Sequence, residues 1–309
     1  MEPASELTPE LRAFVEFVAK KGRELYRDLP WRRTYDPYAI WISEVMLQQT
    51  QVSRVDGRWQ RWLERFPTVD ALAAAAPSDV LEEWQGLGYN RRALSVHRAA
   101  QAISEAGGVF PQDPKELVKL PGIGPATAAG IRAFAFNLHG VYLETNVRTV
   151  FLHELYPQAE GVPDSELVPL VELTCPASVA DAVNANGAAG ADTAVDTAAN
   201  AADADSTEND ATAELTPRSW YYALLDYGAY LKKTIPNPSR RSKSHVKQSR
   251  FEGSHRQKRA ELLRVLLAHK DEGGAVFETL HQELCQIEVN AGRETLDEQV
   301  TLGLLEELA

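Results

Sequence analysis

An all-helical fold is what this chain of 309 residues predicts. Three observations carry the expectation. Apolar residues recur at helical spacing, as at Leu11, Phe14, Val15, Val18 and Leu25. The stretches are separated by helix punctuation: Pro67-Thr68, Pro77-Ser78-Asp79 and Gly86-Leu87-Gly88. The short β-like runs do not alternate convincingly between apolar and polar residues.

Taken in order, a first helix over 8–29 opens at Thr8-Pro9, and a turn follows at Leu29-Pro30-Trp31-Arg32. Further helices are expected over 37–49, 52–66, 68–75, 78–85 and 91–106, then 113–119, 125–136 and 146–155. From 176 to 216 the composition collapses to Ala, Asp, Thr and Asn, with fifteen alanines and no apolar stripe. Ordering such a segment would not repay its entropy, so a disordered acidic insertion is expected. A tether or an acidic decoy fits the same composition. Helix resumes at Ser219-Trp220-Tyr221-Tyr222 and runs to Lys233. A basic arm and amphipathic segments near 260–269, 277–285 and 299–308 close the chain. Three short helices after a basic arm suit a helix-turn-helix or winged-helix module, and suit a plain helical cap equally.

The net charge of -12 does not exclude nucleic acid. Eight of the acids fall within 176–216, which has no Lys or Arg, whereas Lys232–Arg264 holds eleven basic residues against Glu252 and Glu261. Local charge decides whether a phosphate backbone is attracted, because salt screens beyond about 8 Å. No apolar run reaches the roughly 18 residues of a membrane span, and the first thirty residues lack a signal-like core, so a cytoplasmic protein without membrane contact is expected. Two cysteines, Cys175 and Cys285, are too few for a disulfide framework or a four-thiolate cluster.

Leu120-Pro-Gly-Ile-Gly-Pro-Ala-Thr-Ala128 joins two short helices. Gly122 and Gly124 permit backbone geometries closed to other residues, and Pro125 suits a first helical turn. Free N–H groups of Gly122, Gly124, Ala126 and Thr127 at a positive helix end would hold a DNA phosphate; a ligand-free αα-corner is the alternative. Glu44 stands in a helix that is otherwise apolar, between Ile40, Trp41, Val45, Met46 and Leu47. Burial there would raise its pKa and favour the protonated acid, unless it pairs with a core arginine.

Leu29-Pro-Trp-Arg32, Ile42-Ser-Glu-Val-Met-Leu-Gln-Gln-Thr50, Gly86-Leu-Gly-Tyr89 and the 120–128 hairpin follow one another in this order. Together they resemble the helix-hairpin-helix DNA glycosylases, most closely the MutY adenine glycosylases, densely over about 25–155 and more weakly over 217–231. The resemblance implies a two-lobed glycosylase core of 1–175 with 217–236. Residues 25–136 would form one contiguous lobe, and the N-terminal helix with 137–236 the other, leaving 237–309 as basic arm and C-terminal helices. It implies Glu44 as the acid that protonates the leaving base, Gln49 and Tyr89 as a duplex wedge, and Trp31, Arg32 and Leu47 as walls of the base pocket. The family's D-x-N-V-x-R is matched here in its first four positions by Glu144-Thr-Asn-Val147, followed by Arg148: the second carboxyl is one methylene longer, and Glu144 also suits a helix cap. Asn146 would orient that carboxylate or a water.

Four departures follow. Ala126 stands where bifunctional relatives carry a lysine, so Schiff-base strand cleavage is not expected. The iron–sulfur cysteines are missing, the first position falling near Lys232, so no cofactor and no metal are expected; Arg240, Arg241 and Lys243 begin a basic arm suited to phosphates or merely to solvent. Ala126 and Tyr222 alter the expected base pocket. Residues after Ala260 are too few for the domain that MutY uses to read 8-oxoguanine. The expectation is therefore a monofunctional base-excision-repair glycosylase acting as a monomer on mispaired or damaged double-stranded DNA, by default on adenine opposite 8-oxoguanine or guanine. Alternatives are another damaged base, a catalytically weak lesion-binding protein, or a regulator that reads DNA sequence.

Overall fold

A computed structural model describes residues 7–177, 215–245 and 250–308. The chain divides into two compact units, Met1–Gln48 with Val109–His245, and Gln49–Gly108 with Val246–Ala309. This partition differs from the expected contiguous lobe over 25–136. The hairpin belongs with the Glu44 helix, and the 49–108 helices belong with the C-terminal segment. Nearly all of the expected insertion lies outside the described residues.

In the first unit, α1 (Pro9–Glu24) is capped by Thr8, whose side chain accepts from the Leu11 amide at 3.3 Å. The buried helix α2 (Pro37–Leu47) starts at Asp36, which accepts from the amides of Tyr38 and Ala39. Downstream, α8 (Pro114–Leu117) and α9 (Pro125–Phe136) flank the hairpin, and α10 (Thr145–Glu154) and α11 (Asp164–Thr174) follow. No helix is expected from the sequence over α11, which carries Pro169 inside it. The unit is completed by α12 (Pro217–Thr234), opened by a Thr216–Ser219 capping box. Its core gathers Phe14, Phe151 and Trp220 edge to face, with Val18, Val147 and Leu224 around them.

Two glycines let α12 approach its neighbours. A Cβ on Gly22 of α1 would lie 2.2 Å from the Cβ of Ala223, and one on Gly228 would lie 2.3 Å from the carbonyl oxygen of Asn146. The second contact sets the first turn of α10 against α12, and with it the residues of the predicted second carboxyl.

The second unit holds α3 (Val52–Val55), α4 (Arg58–Arg65), α5 (Val69–Ala73), α6 (Pro77–Glu83) and α7 (Arg91–Glu105). The single helix expected over 52–66 is split at Gly57, whose φ of 77° is closed to a helix and serves as the start of α4. Trp62 packs edge to face on Trp84 and Phe66. The same unit contains α13 (His255–Ala268), α14 (Phe277–Asn290) and α15 (Glu298–Glu306), closed around Leu262, Val265, Leu280, Leu284 and Leu304. Lys270 joins the unit's two segments through ion pairs to Asp79 and Glu82. No strand occurs among the described residues, only a single bridge between Val162 and Ser242. A winged-helix module needs a β-hairpin wing, so among these residues the C-terminal segment is a three-helix cluster instead.

Gly228→Ala is expected to destabilise the protein by ~1–3 kcal/mol through overpacking, despite the ~1 kcal/mol gain in helix propensity from Ala. A thermal midpoint unchanged from the wild type would mean that α10 and α12 separate without cost.

Candidate active site

Glu44 is the single charged residue of α2, whose neighbours Ile40, Trp41, Val45 and Met46 are all buried. Its carboxyl sits in a notch cut in α9 by Gly130: a Cβ there would stand 2.6 Å from Glu44 Oε2. The Tyr142 hydroxyl donates to that same oxygen at 2.8 Å. Tyr142 is itself held in place. Its amide donates to the Tyr221 hydroxyl at 3.1 Å, and Tyr221 donates to the Gly140 carbonyl. Glu44 keeps part of its surface open, yet protein surrounds the carboxyl on its other sides. That burial pushes its pKa from 4.5 up to about 7; the Tyr142 hydrogen bond opposes the rise, the charge of Glu144 adds to it, and Arg32 opposes it.

Glu144 is the N-cap of α10. Its Oε1 accepts from the amides of Asn146 and Val147 at 2.5 and 3.1 Å. Capping and catalysis are compatible here, because both bonds go to one oxygen and no described residue donates to Oε2. Burial raises the carboxyl's pKa, against the lowering influence of Lys232, the two capping amides and Arg148. Lys232 donates to Asn146 Oδ1 at 2.8 Å, so the Asn146 side chain is fixed from α12. Arg148 forks onto Asp164 at 2.9 and 2.8 Å.

The residues expected to wall a base pocket divide in role. The Arg32 guanidinium is buried, bonding both oxygens of Asp226 at 2.7 and 2.9 Å and lying 4.2 Å over the Tyr222 ring. Tyr222 in turn stacks on Phe134 at 4.6 Å, and Trp31 is buried. Arg32 and Tyr222 thus brace the site through packing. Leu47 is half-buried one turn after Glu44 on the same helical face, and Ala126 is exposed one turn before Gly130 on α9.

At the hairpin, Gly122 has a φ of 77° and needs to be glycine. Gly124 does not, contrary to the sequence argument: it is an extended N-cap with open space at its Cβ position. The amides of Gly122, Gly124, Ala126 and Thr127 meet no acceptor among the described residues, as at an open helix end. The Thr127 hydroxyl instead accepts from Gln48 at 3.1 Å. Arg240 and Lys243 are exposed, but Arg241 is spent within the fold. Its guanidinium closes carbonyls of Leu152, Tyr156 and Ala159 near the end of α10, which removes it from the expected phosphate-binding set.

In the second unit, Gln49 and Tyr89 are both exposed and have φ values of 53° and 51°. Among the described residues only Asn137, at the end of α9, shares positive φ without being glycine. Backbone strain of this kind concentrates at functional positions.

Residues 42–218 match the HhH-GPD superfamily of base excision DNA repair proteins. The chain belongs to that superfamily. Among curated HhH-GPD relatives, the adenine DNA glycosylase of Mycolicibacterium smegmatis is 43% identical over 152 residues, 48% of this chain and 52% of that protein. The human adenine DNA glycosylase is 39% identical over 134 residues, 40% of this chain and 24% of that protein. The chain thus spans about half the length, or less, of these relatives. A thermostable thymine-DNA glycosylase shares the fold, with a TM-score of 0.55 at 19% identity over 74% of this chain and 90% of that one. The iron–sulfur cluster implied by the resemblance does not fit this HhH-GPD chain's donor set. Its two cysteines, Cys175 and Cys285, fall in different units, and Lys232, near the first expected ligand position, bonds Asn146.

Tyr142, Gly130, Asp226 and Lys232 escaped the sequence reading. A glycine inside the α9 pattern was the one available signal; the others act on partners far away in sequence.

Glu44 ionises near pH 7 in the folded chain and near 4.5 when unfolded, so the folded state loses stability as the pH rises through that window. Glu44→Gln should therefore raise the thermal midpoint, relative to wild type, more at pH 8 than at pH 5. A pH-independent difference would mean that the carboxyl is not perturbed.

Proposed function

We propose that this chain is a monofunctional DNA glycosylase, working as a cytoplasmic monomer without cofactor on double-stranded DNA that carries a mispair or lesion. The observation that carries the reading is the Glu44 carboxyl, an acid in the otherwise apolar helix α2 that sits in the Gly130 notch and accepts from the Tyr142 hydroxyl at 2.8 Å. Protonated Glu44 would give its proton to a ring nitrogen of the flipped base as the bond to C1′ breaks, and the bonding pair would leave with the base. Glu144, ionised, would stabilise the oxocarbenium-like sugar, with Oε2 as the oxygen not engaged in capping. Water would add to C1′ and return its proton to Glu44, leaving an abasic site. Asn146, gripped by Lys232, would hold Glu144 or that water in place. Ala126 supplies no amine, so strand cleavage is not part of the reaction. By resemblance the default substrate is adenine opposite 8-oxoguanine or guanine.

A catalytically weak lesion-binding protein is the second reading. It is favoured by the capping bonds of Glu144, which tie down the longer side chain. Misplacing a catalytic group by ~1 Å costs about 100-fold.

Labelled duplexes carrying A:8-oxoguanine, A:G, A:C, T:G or U:G, treated with and without alkali, test the proposal. Alkali-dependent cutting at one pair, lowered at least 100-fold in Glu44→Gln, is expected. Binding without cutting on every duplex would leave the second reading.

A further inference from the structure

Within the second unit, the turn ahead of α13 brings two side chains to Tyr89. The Arg256 guanidinium donates to the Tyr89 hydroxyl at 3.1 Å and lies 5.3 Å from the centre of that ring and 5.2 Å from the centre of Phe251. Arg92 also lies 5.4 Å from the centre of the Tyr89 ring. Arg92 is anchored by bonds to Thr50 Oγ1, the Leu87 carbonyl and the Gly88 carbonyl. Tyr89 is 37% exposed and Phe251 49% exposed, and the half-buried Arg256 lies near both rings.

The turn is tied down. Ser254 donates its amide and its hydroxyl to the Phe251 carbonyl at 3.0 and 2.5 Å. The Gly253 amide donates to Gln257 Oε1 at 2.6 Å, and Gln257 is in turn bonded to Glu261 at 2.8 Å. Phe251 is therefore presented at a hydrogen-bonded turn, and such preorganisation lowers the ordering cost of stacking against it. Neighbouring acid is neutralised, since Glu252 pairs with Arg250 at 3.0 Å.

Exposed aromatic rings interleaved with guanidinium planes suit the flat face of a nucleobase and the negative backbone beside it. An apolar protein partner would leave the guanidiniums desolvated and unmatched. We propose that Phe251 and Arg256 extend the Tyr89 wedge into a stacking platform, and that this platform holds the nucleobase left without a partner when its opposite nucleotide is flipped out. The proposal rests on the base-excision reading and adds the residues that engage the opposite strand. Stacking tolerates any base and is strongest for purines, so the platform contributes affinity for the unpaired state itself.

The full chain is titrated onto a duplex in which 2-aminopurine lies opposite a tetrahydrofuran abasic analogue, and onto the same duplex with 2-aminopurine paired to thymine. Anisotropy and 2-aminopurine fluorescence are both read. The wild type should bind the abasic duplex at least ten-fold more tightly than the paired one and change the 2-aminopurine emission on binding. Phe251→Ala and Arg256→Ala should each lose about ten-fold on the abasic duplex, with little change on the paired one, and weaken the emission change. Wild-type preference for the abasic duplex that survives in both variants would overturn the platform and leave the glycosylase reading intact. A lowered thermal midpoint in Arg256→Ala with a silent Phe251→Ala would reduce Arg256 to a brace for the Tyr89 turn, and would also overturn the platform. Equal wild-type affinity for the two duplexes would overturn the platform, while the base-excision reading stands or falls on the alkali-dependent cutting assay.

Discussion

A buried carboxylate, Asp226, organises the surroundings of the candidate site. Both of its oxygens are bonded by Arg32, and Arg27 adds bonds through its amide and its guanidinium. Removing these charges from water is expensive, and the pairing does little more than offset that cost. What it confers is position. The segment between α1 and α2 is pinned to the middle of α12, Arg32 is laid across Tyr222, and a positive charge is fixed where it moderates Glu44. Arg218 adds a second clasp from the start of α12, donating to the carbonyls of Arg32, Thr34 and Phe134.

Two carboxyls of the same type thus come to differ through their surroundings. Glu44 faces a glycine notch and a tyrosine hydroxyl inside an apolar helix, and the balance lies with burial. Glu144 is also raised by burial, but it meets two amides, Lys232 and Arg148, all of which favour its charge. Burial thus raises both carboxyls, and the contacts that oppose it at Glu144 are the ones that favour its charged form.

Much of this was legible in the sequence, and what was not shares a cause. Helix α9 was read end to end, and Pro125 marks its start locally. Glu44 stood out because an acid among Ile, Trp, Val and Met contradicts its surroundings. Tyr142, by contrast, looks ordinary until the chain returns 98 residues later to Glu44. Arg241 resembles its basic neighbours in sequence, yet the fold commits it to the carbonyls at the end of α10. The partition of the units was missed for a similar reason. Helical periodicity says which face of a segment is apolar, but not which distant segment covers it.

That partition bears on how the protein emerges from the ribosome. Each unit is assembled from two separated stretches, and the stretches alternate along the chain. Helices α3 to α7 leave the exit tunnel long before α13 to α15 exist, and α1 and α2 wait for α12 on the far side of the Ala-rich acidic segment. The first unit cannot close its core until α12 is made, so apolar faces such as those of Phe14 and Val18, which pack with Trp220 and Leu224, stay uncovered for most of translation. The stretch over 176–216, with eight acids and no Lys or Arg, is synthesised in that interval and adds charge repulsion between neighbouring unfinished chains.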